Sequence, residues 1–457
     1  MWRKIFLLIS LFSSSFAVRI IFWIFGFSSY TGWAIYDVGY YVDNSERLII
    51  SLFQKDFSIV RDLLFHPLFG FYTTGLSTLI FGELTDKYQA GLLSPIFFSS
   101  LTCSVVYLIG EKIGGSKMGF IAWLLASFDP YSIQFSTTFL DMPATFFSAL
   151  FMYLLIKYVS STNWKRFVLL GIVAGLAFSS KHIVIPLVVL LILLHVKKVK
   201  DCLIIVAVAI VSYLLVNSPK FLSLENVKLM LNANIQGGGI GVPAIIYGPI
   251  EIGEPYAYPW YILTYLGLGY TGFKVAPYVI PVVVFILFCY RRISKSSIMN
   301  SQTYYGLIYW TAASLIPLIF LPRNYWIPLS RWSEGIEGDV LTKFFYPYYH
   351  VITIPFFSSI AGYLMMENIN SSQYISQKKL FGSWLEFVII VFLLLSPLAL
   401  TANMVYPFWD FLFTLIMNIR KDDPLIKTMG IQSLIASAIT LIIVILIAIV
   451  LVRRNRD

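Results

Sequence analysis

The sequence predicts an all-α polytopic membrane protein, with about 12 transmembrane helices and with interface helices in long outer loops. Its 457 residues are 58% hydrophobic and 12% charged, and the mean hydropathy is +0.79. Soluble domains carry roughly 25% charged residues, so this composition excludes a water-soluble protein. Because no stretch has the composition of a soluble domain, residues 1–457 are expected to form a single integral membrane domain.

Apolar runs near the length of a spanning helix, about 20 residues, recur along the chain. The predicted spans are 5–27, 91–110, 118–137, 142–159, 168–180, 183–196, 202–217, 272–290, 303–321, 347–366, 384–403 and 431–452. The arms 168–180 and 183–196 are interpreted as a hairpin, because basic residues precede the first arm at 165–166 and follow the second at 197–198, and Lys181 lies between the arms. Gly171 and Gly175, four residues apart, predict close packing of the first arm against another helix.

Positive charge is distributed unevenly between the two sides of these spans. One set of connections holds 18 basic and five acidic residues, whereas the opposite side and the spans together hold 15 basic and 18 acidic residues. The first set lies at 3–4, 111–117, 157–166, 197–201, 291–295, 367–386 and 453–457. Short connections rich in Lys and Arg stay in the cytoplasm, so we expect a multi-pass protein of the cell membrane with both termini cytoplasmic. The net charge of +10 is therefore a topology signal and does not indicate nucleic-acid binding.

The long connections are expected on the outer face, at 28–90, 218–271, 322–346 and 404–430. Ordered loops on a rigid scaffold commonly carry functional sites, so the active site is predicted outside. Within the first loop, residues 67–82 are apolar but too short to cross, which predicts a helix lying in the membrane interface.

The first outer loop supplies the leading candidates for a site. Asp37 is followed by Tyr40 and Tyr41, and His66 precedes a proline at the start of the interface helix. A lone carboxylate at the end of a span is more often a cap or a solvated group, and that interpretation stands beside a catalytic one. His66 with Asp37 or Glu46 offers mixed ligands for a possible divalent metal, but their spacing fixes no geometry.

Four further ionisable residues lie in or beside apolar sequence. Asp129 is interpreted as a satisfied polar group at a proline-broken helix, and Asp141 as either a helix cap or a site residue. Arg19 is expected to pair with an acid or with a phosphate. Lys181, at a hairpin tip recessed below the surface, is costly unless it faces a wet cavity or an anion.

The outer loop 322–346 adds Arg331 and Lys343, before an aromatic run that enters a span. Such residues form either an anchoring belt at the membrane interface or a direct contact to a lipid phosphate. The sequence favours neither interpretation.

The order of these motifs resembles that of the GT-C glycosyltransferases. The closest members are the dolichyl-phosphate-mannose–protein mannosyltransferases and the aminoarabinose-transferase-like enzymes. The resemblance rests on Asp37 after the first span, the Tyr-Tyr pair, His66-Pro67, Leu108–Gly115, Asp141-Met142-Pro143 and Ser179-Ser180-Lys181-His182. It covers about residues 15–200 well and is loose beyond them.

The resemblance implies a membrane glycosyltransferase of the GT-C fold. It would transfer a sugar, a mannose-like hexose, from a dolichyl- or polyprenyl-phosphate donor to a hydroxyl of a protein, lipid or glycan acceptor at the outer face. By position, Asp37 is the catalytic carboxylate; the residues binding acceptor or donor sugar are Tyr40, Tyr41, His66 and Asp141; those binding the lipid phosphate are Lys181, His182, Arg331 and Lys343.

The chain departs from the family pattern at two positions. Val38 stands where the family usually has a glutamate after the catalytic aspartate, and Leu68 stands where it usually has a second proline. The first departure puts in doubt the acceptor or metal binding attributed to that glutamate.

A transporter or lipid flippase with no transferase chemistry is the alternative. Such a protein would spread polar residues through several spans in both leaflets, whereas here they gather at the outer ends of the spans.

Overall fold

The computed structural model describes residues 2–30, 32–55, 58–63, 66–158, 163–222, 224–228, 256–257, 278, 280–281, 283–284, 287, 301–319, 327–328 and 351–371. This part of the chain is helical, apart from one two-residue antiparallel pair. The α-helices are α1 (Trp2–Tyr30), α2 (Gly32–Gln54), α3 (Phe69–Phe81), α4 (Lys87–Phe128), α5 (Pro130–Gln134), α6 (Asp141–Tyr158), α7 (Trp164–Ser180), α8 (Ile185–His195), α9 (Val199–Val216), α10 (Ser301–Ile319) and α11 (Ile354–Ser371). Short 3₁₀ turns lie at Ser58–Arg61, Phe135–Thr137, His182–Val184 and Ser218–Phe221.

The strand pair connects two of the predicted outer loops. β1 (Tyr256–Ala257) pairs with β2 (Ile327–Pro328), so the loops 218–271 and 322–346 meet at this point. The predicted spans 384–403 and 431–452 and the loop 404–430 lie outside the described residues.

Within the described residues, three helices are long and apolar enough to cross a membrane, or up to four if a bent pair is counted as one span. They are Trp2–Ile21, Lys87–Phe128 and Val199–Val216, and the bent pair joins Tyr131–Thr137 to Asp141–Tyr158. These helices are consistent with an integral membrane protein. Several of the 12 predicted spans lie outside the described residues.

The long helix α4 is bent back on itself by two glycines. Gly114 and Gly115 leave the helical conformation, and Gly115 has a φ of +85°, which only glycine adopts without strain. A Cβ on Gly110 would lie 2.7 Å from the Cα of Gly119, so the two arms approach closely on either side of the bend. The arms correspond to the predicted spans 91–110 and 118–137, although the second arm ends at Phe128.

Asp129 and Pro130 cause this early end. The Asp129 carboxylate accepts a hydrogen bond from the backbone N–H of Ser132 at 2.9 Å and so caps α5. Beyond it, Tyr131–Thr137 and Asp141–Tyr158 meet at 119°. The capping bond supports the interpretation of Asp129 as a satisfied group at a broken helix.

Gly171 and Gly175 have the packing role predicted for them. A Cβ on Gly175 would lie 2.5 Å from the Cβ of Ser212 and 2.6 Å from the carbonyl oxygen of Ala209. Gly171 is similarly close to Val208 on the same helix, so α7 packs along α9. The break at Lys181 also lies where the sequence predicts it, but α8 turns away to pack mainly against α10.

The first outer connection is more helical than expected. α1 extends to Tyr30, and α2 begins at Gly32, so Asp37, Tyr40 and Tyr41 lie on a helix rather than in a loop. The segment 67–82, predicted as an interface helix, contains helix α3, which packs against α2 and α4.

Arg19 is fully buried between α1 and α4, and the acceptors of its hydrogen bonds differ from those expected. It donates to the hydroxyls of Ser99 (2.8 Å) and Ser132 (3.0 Å) and to the sulfur of Cys103 (3.2 Å). Its other acceptors are the carbonyl oxygens of Ser15, Ala126 and Ser127. All six acceptors are neutral, so these bonds fasten α1 to α4 and α5 without the acid or phosphate that the sequence suggested.

Candidate functional site

An aromatic group surrounds His66 between α2 and α3. The His66 ring centroid lies 6.1 Å from the centroids of both Tyr40 and Tyr41, and 6.2 Å from that of Phe71. Tyr41 also stacks on Phe139, at 5.1 Å between centroids. The structure therefore brings together three residues that the sequence proposed for sugar binding, namely Tyr40, Tyr41 and His66.

His66 is neutral at physiological pH. Burial, together with the positive charges of Lys181 and Lys220, lowers the pKa of its imidazole to about 4. A neutral imidazole has one nitrogen that donates a hydrogen bond and one that accepts. His66 can therefore contact a sugar hydroxyl or a phosphate oxygen without carrying charge.

Asp141 and Lys181 form an ion pair beside this group. The Lys181 Nζ lies 2.5 Å from the Asp141 Oδ1, and the two side chains are 16% and 4% exposed. Asp141 is the first residue of α6, and Lys181 directly follows α7, so the pair joins the start of one helix to the end of another. The sequence assigned these residues separate roles, whereas the structure makes them one unit.

His182 lies next to this pair and contacts α9. Its Nε2 is 2.9 Å from the hydroxyl oxygen of Tyr213. The contact orients the imidazole, because one ring nitrogen is engaged by a neighbouring helix.

The end of α9 adds two residues that sequence reasoning missed. Asn217 accepts a hydrogen bond from the backbone N–H of Leu68 at 2.9 Å and donates one to the hydroxyl of Ser179 at 3.2 Å. Lys220, in the following 3₁₀ turn, donates to the carbonyl oxygen of His66. The sequence feature that could have pointed to Lys220 is a lysine that follows a proline just after the apolar run 202–217.

The side chains of three of the proposed site residues lie outside the described part of the structure. Asp37 lies on α2, one helical turn before Tyr41, but its side chain is outside the described part of the structure. Arg331 and Lys343 lie outside the described residues.

No described group of three or more His, Cys, Asp or Glu side chains could hold a metal ion. Glu46, considered from the sequence as a ligand with His66, instead lies 3.6 Å from Lys87.

Comparison with known families finds a match in the N-terminal half of the chain. Residues 65–222 match the family model described as dolichyl-phosphate-mannose-protein mannosyltransferase. This match confirms the resemblance to the GT-C glycosyltransferases. The matched segment contains His66, Asp141, Lys181 and His182, while Asp37 precedes it.

Two solved structures show distant likeness in fold. ArnT from Cupriavidus metallidurans bound to undecaprenyl phosphate is 14% identical, with a TM-score of 0.43, over 81% of this chain and 67% of that one. The archaeal oligosaccharyltransferase AglB from Archaeoglobus fulgidus, in complex with an inhibitory peptide and a dolichol-phosphate, is 11% identical, with a TM-score of 0.45. That match covers 94% of this chain but only 59% of AglB, so this chain spans less than two thirds of its length. No curated protein matches the sequence.

Proposed function

We propose that this chain is a membrane glycosyltransferase that moves a sugar from a polyprenyl- or dolichyl-phosphate donor to an acceptor hydroxyl at the outer face. The observation that carries the proposal is the Asp141–Lys181 ion pair next to the His66 aromatic group, within the segment that matches the mannosyltransferase family. A sugar-1-phosphate lipid needs cations for its phosphate and polar or aromatic contacts for its sugar, and this cluster provides both.

Asp37 is the proposed catalytic base. Transfer from a lipid phosphate requires a group that deprotonates the acceptor hydroxyl as the bond to the anomeric carbon forms, and a single positioned carboxylate can do so. On α2, Asp37 precedes Tyr41 by four residues, a spacing that puts both positions on one side of a helix. Because Tyr41 contacts His66, this spacing favours placing the Asp37 position beside the site.

The other side chains divide between the two halves of the donor. Tyr40, Tyr41, His66 and Asp141 are the proposed contacts to acceptor or donor sugar. Lys181, His182, Arg331 and Lys343 are the proposed contacts to the phosphate. Phosphate departs readily only when its negative charge is met by cations or hydrogen-bond donors.

Substitution of Asp37 tests the function. We expect Asp37→Asn to lower sugar transfer at least about 100-fold, because the amide cannot accept the proton of the acceptor hydroxyl. The measurement is the release of labelled sugar from a panel of dolichyl-phosphate hexoses into protein, lipid and glycan fractions of membranes containing the chain. The panel also identifies the sugar and the acceptor class.

Asp43→Asn is the matched control, because Asp43 lies on the same helix and binds Lys87 at 2.7 Å, in a pair that is about 40% exposed on both sides. It should retain transfer. Full activity of Asp37→Asn would remove Asp37 from the mechanism. If wild-type membranes form no product but move a labelled lipid phosphate between leaflets, the transporter or flippase alternative replaces the transferase.

A further inference from the structure

We propose that Asn217 is a positioning residue of the site, whose side-chain amide holds the segment around His66 in a fixed place beside Ser179–His182. The inference rests on the proposed function and deepens it, because these two segments carry groups proposed to contact the sugar and the phosphate. Asn217 is not among the residues on which the family resemblance rests.

The amide of Asn217 is fully buried at the end of α9, and both its oxygen and its nitrogen are hydrogen-bonded. The oxygen accepts from the backbone N–H of Leu68 at 2.9 Å. The nitrogen donates to the hydroxyl of Ser179 at 3.2 Å and to the carbonyl oxygen of Tyr213 at 2.9 Å. Because a backbone N–H can only donate and a carbonyl oxygen can only accept, these partners determine which way the amide points.

The two segments that Asn217 connects lie where helices are interrupted. His66 precedes Pro67, which has no backbone N–H, and α3 begins only at Phe69. Lys181 has an extended backbone, with a φ of −159° and a ψ of 131°, directly after α7. The hydrogen-bond ladder of a helix does not continue through either segment, so bonds from elsewhere in the fold contribute to fixing their positions.

The same turn of α9 makes a second contact to the site. The hydroxyl oxygen of Tyr213 lies 2.9 Å from Nε2 of His182. Since Asn217 bonds Ser179 and the carbonyl oxygen of Tyr213, this one turn contacts Ser179–His182 at both of its ends. The bond to Leu68 extends the connection to the segment that follows His66.

These contacts are those of a positioning residue. Asn217 bonds backbone groups and a hydroxyl, whereas the groups proposed to contact the donor are the side chains of neighbouring residues. Its effect on transfer therefore comes through the placement of His66 and Lys181. Binding groups must be held within about 0.5 Å of their productive geometry, and a misplacement of about 1 Å can lower a rate about 100-fold.

Sugar transfer by the full chain tests the inference, with the labelled dolichyl-phosphate hexose that serves wild type as donor. We expect Asn217→Ala to lower kcat/KM about 10-fold or more, because His66 and Lys181 then lose their fixed separation. The matched control is Asn163→Ala, which removes an amide that accepts from the backbone N–H of Lys165 at 3.0 Å, at the other end of α7. This control should lower the unfolding temperature, since it removes a helix cap, and leave transfer within about two-fold of wild type.

A double-variant cycle separates positioning from stabilisation alone. His66→Gln leaves the bonds of Asn217 in place, because they involve the backbone of Leu68 and not the imidazole. If Asn217 acts through His66, the factor lost on Asn217→Ala should be several-fold smaller in the His66→Gln background than in wild type. All rates are measured below the unfolding temperature of each variant. An equal factor in both backgrounds would overturn the positioning role.

Ser179→Ala is a milder variant, which decides the question if Asn217→Ala does not fold. It removes one acceptor of the amide, and we expect it to lower transfer about three-fold or more. Wild-type transfer by folded Ser179→Ala would overturn the role of Asn217 and leave the proposed function intact. A wild-type chain that transfers no sugar from any donor of the panel overturns the proposed function, and this inference with it.

Discussion

The ion pair between Asp141 and Lys181 is buried, whereas another ion pair in the chain is open to solvent. Lys4 and Glu111 also approach to 2.5 Å, but their side chains are 51% and 27% exposed. Removing one partner of a buried pair leaves an uncompensated charge, while an exposed charge is solvated by water. The two pairs should therefore respond differently to the same kind of substitution.

We expect Asp141→Asn to destabilise the protein by about 3–5 kcal/mol, because Lys181 is then buried without its carboxylate. Glu111→Gln should cost at most about 1 kcal/mol. Thermal unfolding of the purified variants in detergent measures both. A double variant, Asp141→Asn with Lys181→Met, should recover part of the loss; a loss equal to the sum of the single variants would show that the two side chains do not interact.

Val38 shows how the structure accounts for a departure from the family pattern. Its side chain is 5% exposed and packs in an apolar cluster with Val42, Leu92 and Phe139. A glutamate there would place a carboxylate among apolar side chains, which is unfavourable without a partner. The valine is therefore suited to its surroundings, and any second carboxylate would have to come from elsewhere in the chain.

At the scale of the helices, the contact between α7 and α9 determines the positions of Lys181 and Lys220 relative to each other. Gly175 lies against the backbone of Ala209, so the two helix axes approach more closely than any larger residue allows. Both lysines follow the outer ends of these helices. The glycine contact thus sets the separation of two cations that are far apart in sequence.

We expect Gly175→Ala to lower the thermal stability of the purified protein, by about 1–3 kcal/mol, because the added methyl group meets Ser212 and Ala209. Its matched control is Gly39→Ala on α2, where an added Cβ meets nothing within 4 Å. That control should be neutral or slightly stabilising, since alanine favours a helix. If both variants unfold at the temperature of wild type, the close contact of α7 and α9 is not present in the protein.

Across the whole molecule, two groups of the described charged residues lie at different helix ends. One end holds the Lys4–Glu111 pair and the glycine bend of α4; the other holds Asp141, Lys181 and Lys220. The first arm of α4, from residue 87 to the bend, is long enough to connect them, because about 27 helical residues span about 40 Å. This separation fits the sidedness predicted from the basic residues.

Cysteine labelling tests that orientation. Glu83 and Lys117 are exposed; Glu83 lies shortly before the first arm of α4, and Lys117 shortly after the bend at its other end. We expect a membrane-impermeant maleimide to label Glu83→Cys in intact cells and Lys117→Cys only after permeabilisation, because basic connections stay in the cytoplasm. The parent chain, with its three native cysteines, gives the background. Labelling of Lys117→Cys from outside would reverse the proposed topology and move the site to the cytoplasmic face.

Several features could be predicted because they depend on local sequence. The break at Lys181, the close packing through Gly171 and Gly175 and the presence of helix α3 follow from apolar length, residue size and chain-breaking residues. The extent of α2 could not be predicted in the same way. Polar and aromatic residues from Tyr36 onward suggest a loop, whereas packing against α3 and α4 keeps the segment helical.

The sequence by itself determined that the chain is a membrane protein, where most of its described helices lie and which family its N-terminal half resembles. These properties depend on hydrophobic length, charge sidedness and the order of short motifs. The tertiary structure alone decided that Asp141 is the partner of Lys181, that Arg19 bonds to neutral acceptors and that Asn217 and Lys220 contact the segment around His66. The physical reason is that these contacts join residues 40 to more than 150 positions apart, and helix packing rather than local sequence sets which helix ends meet.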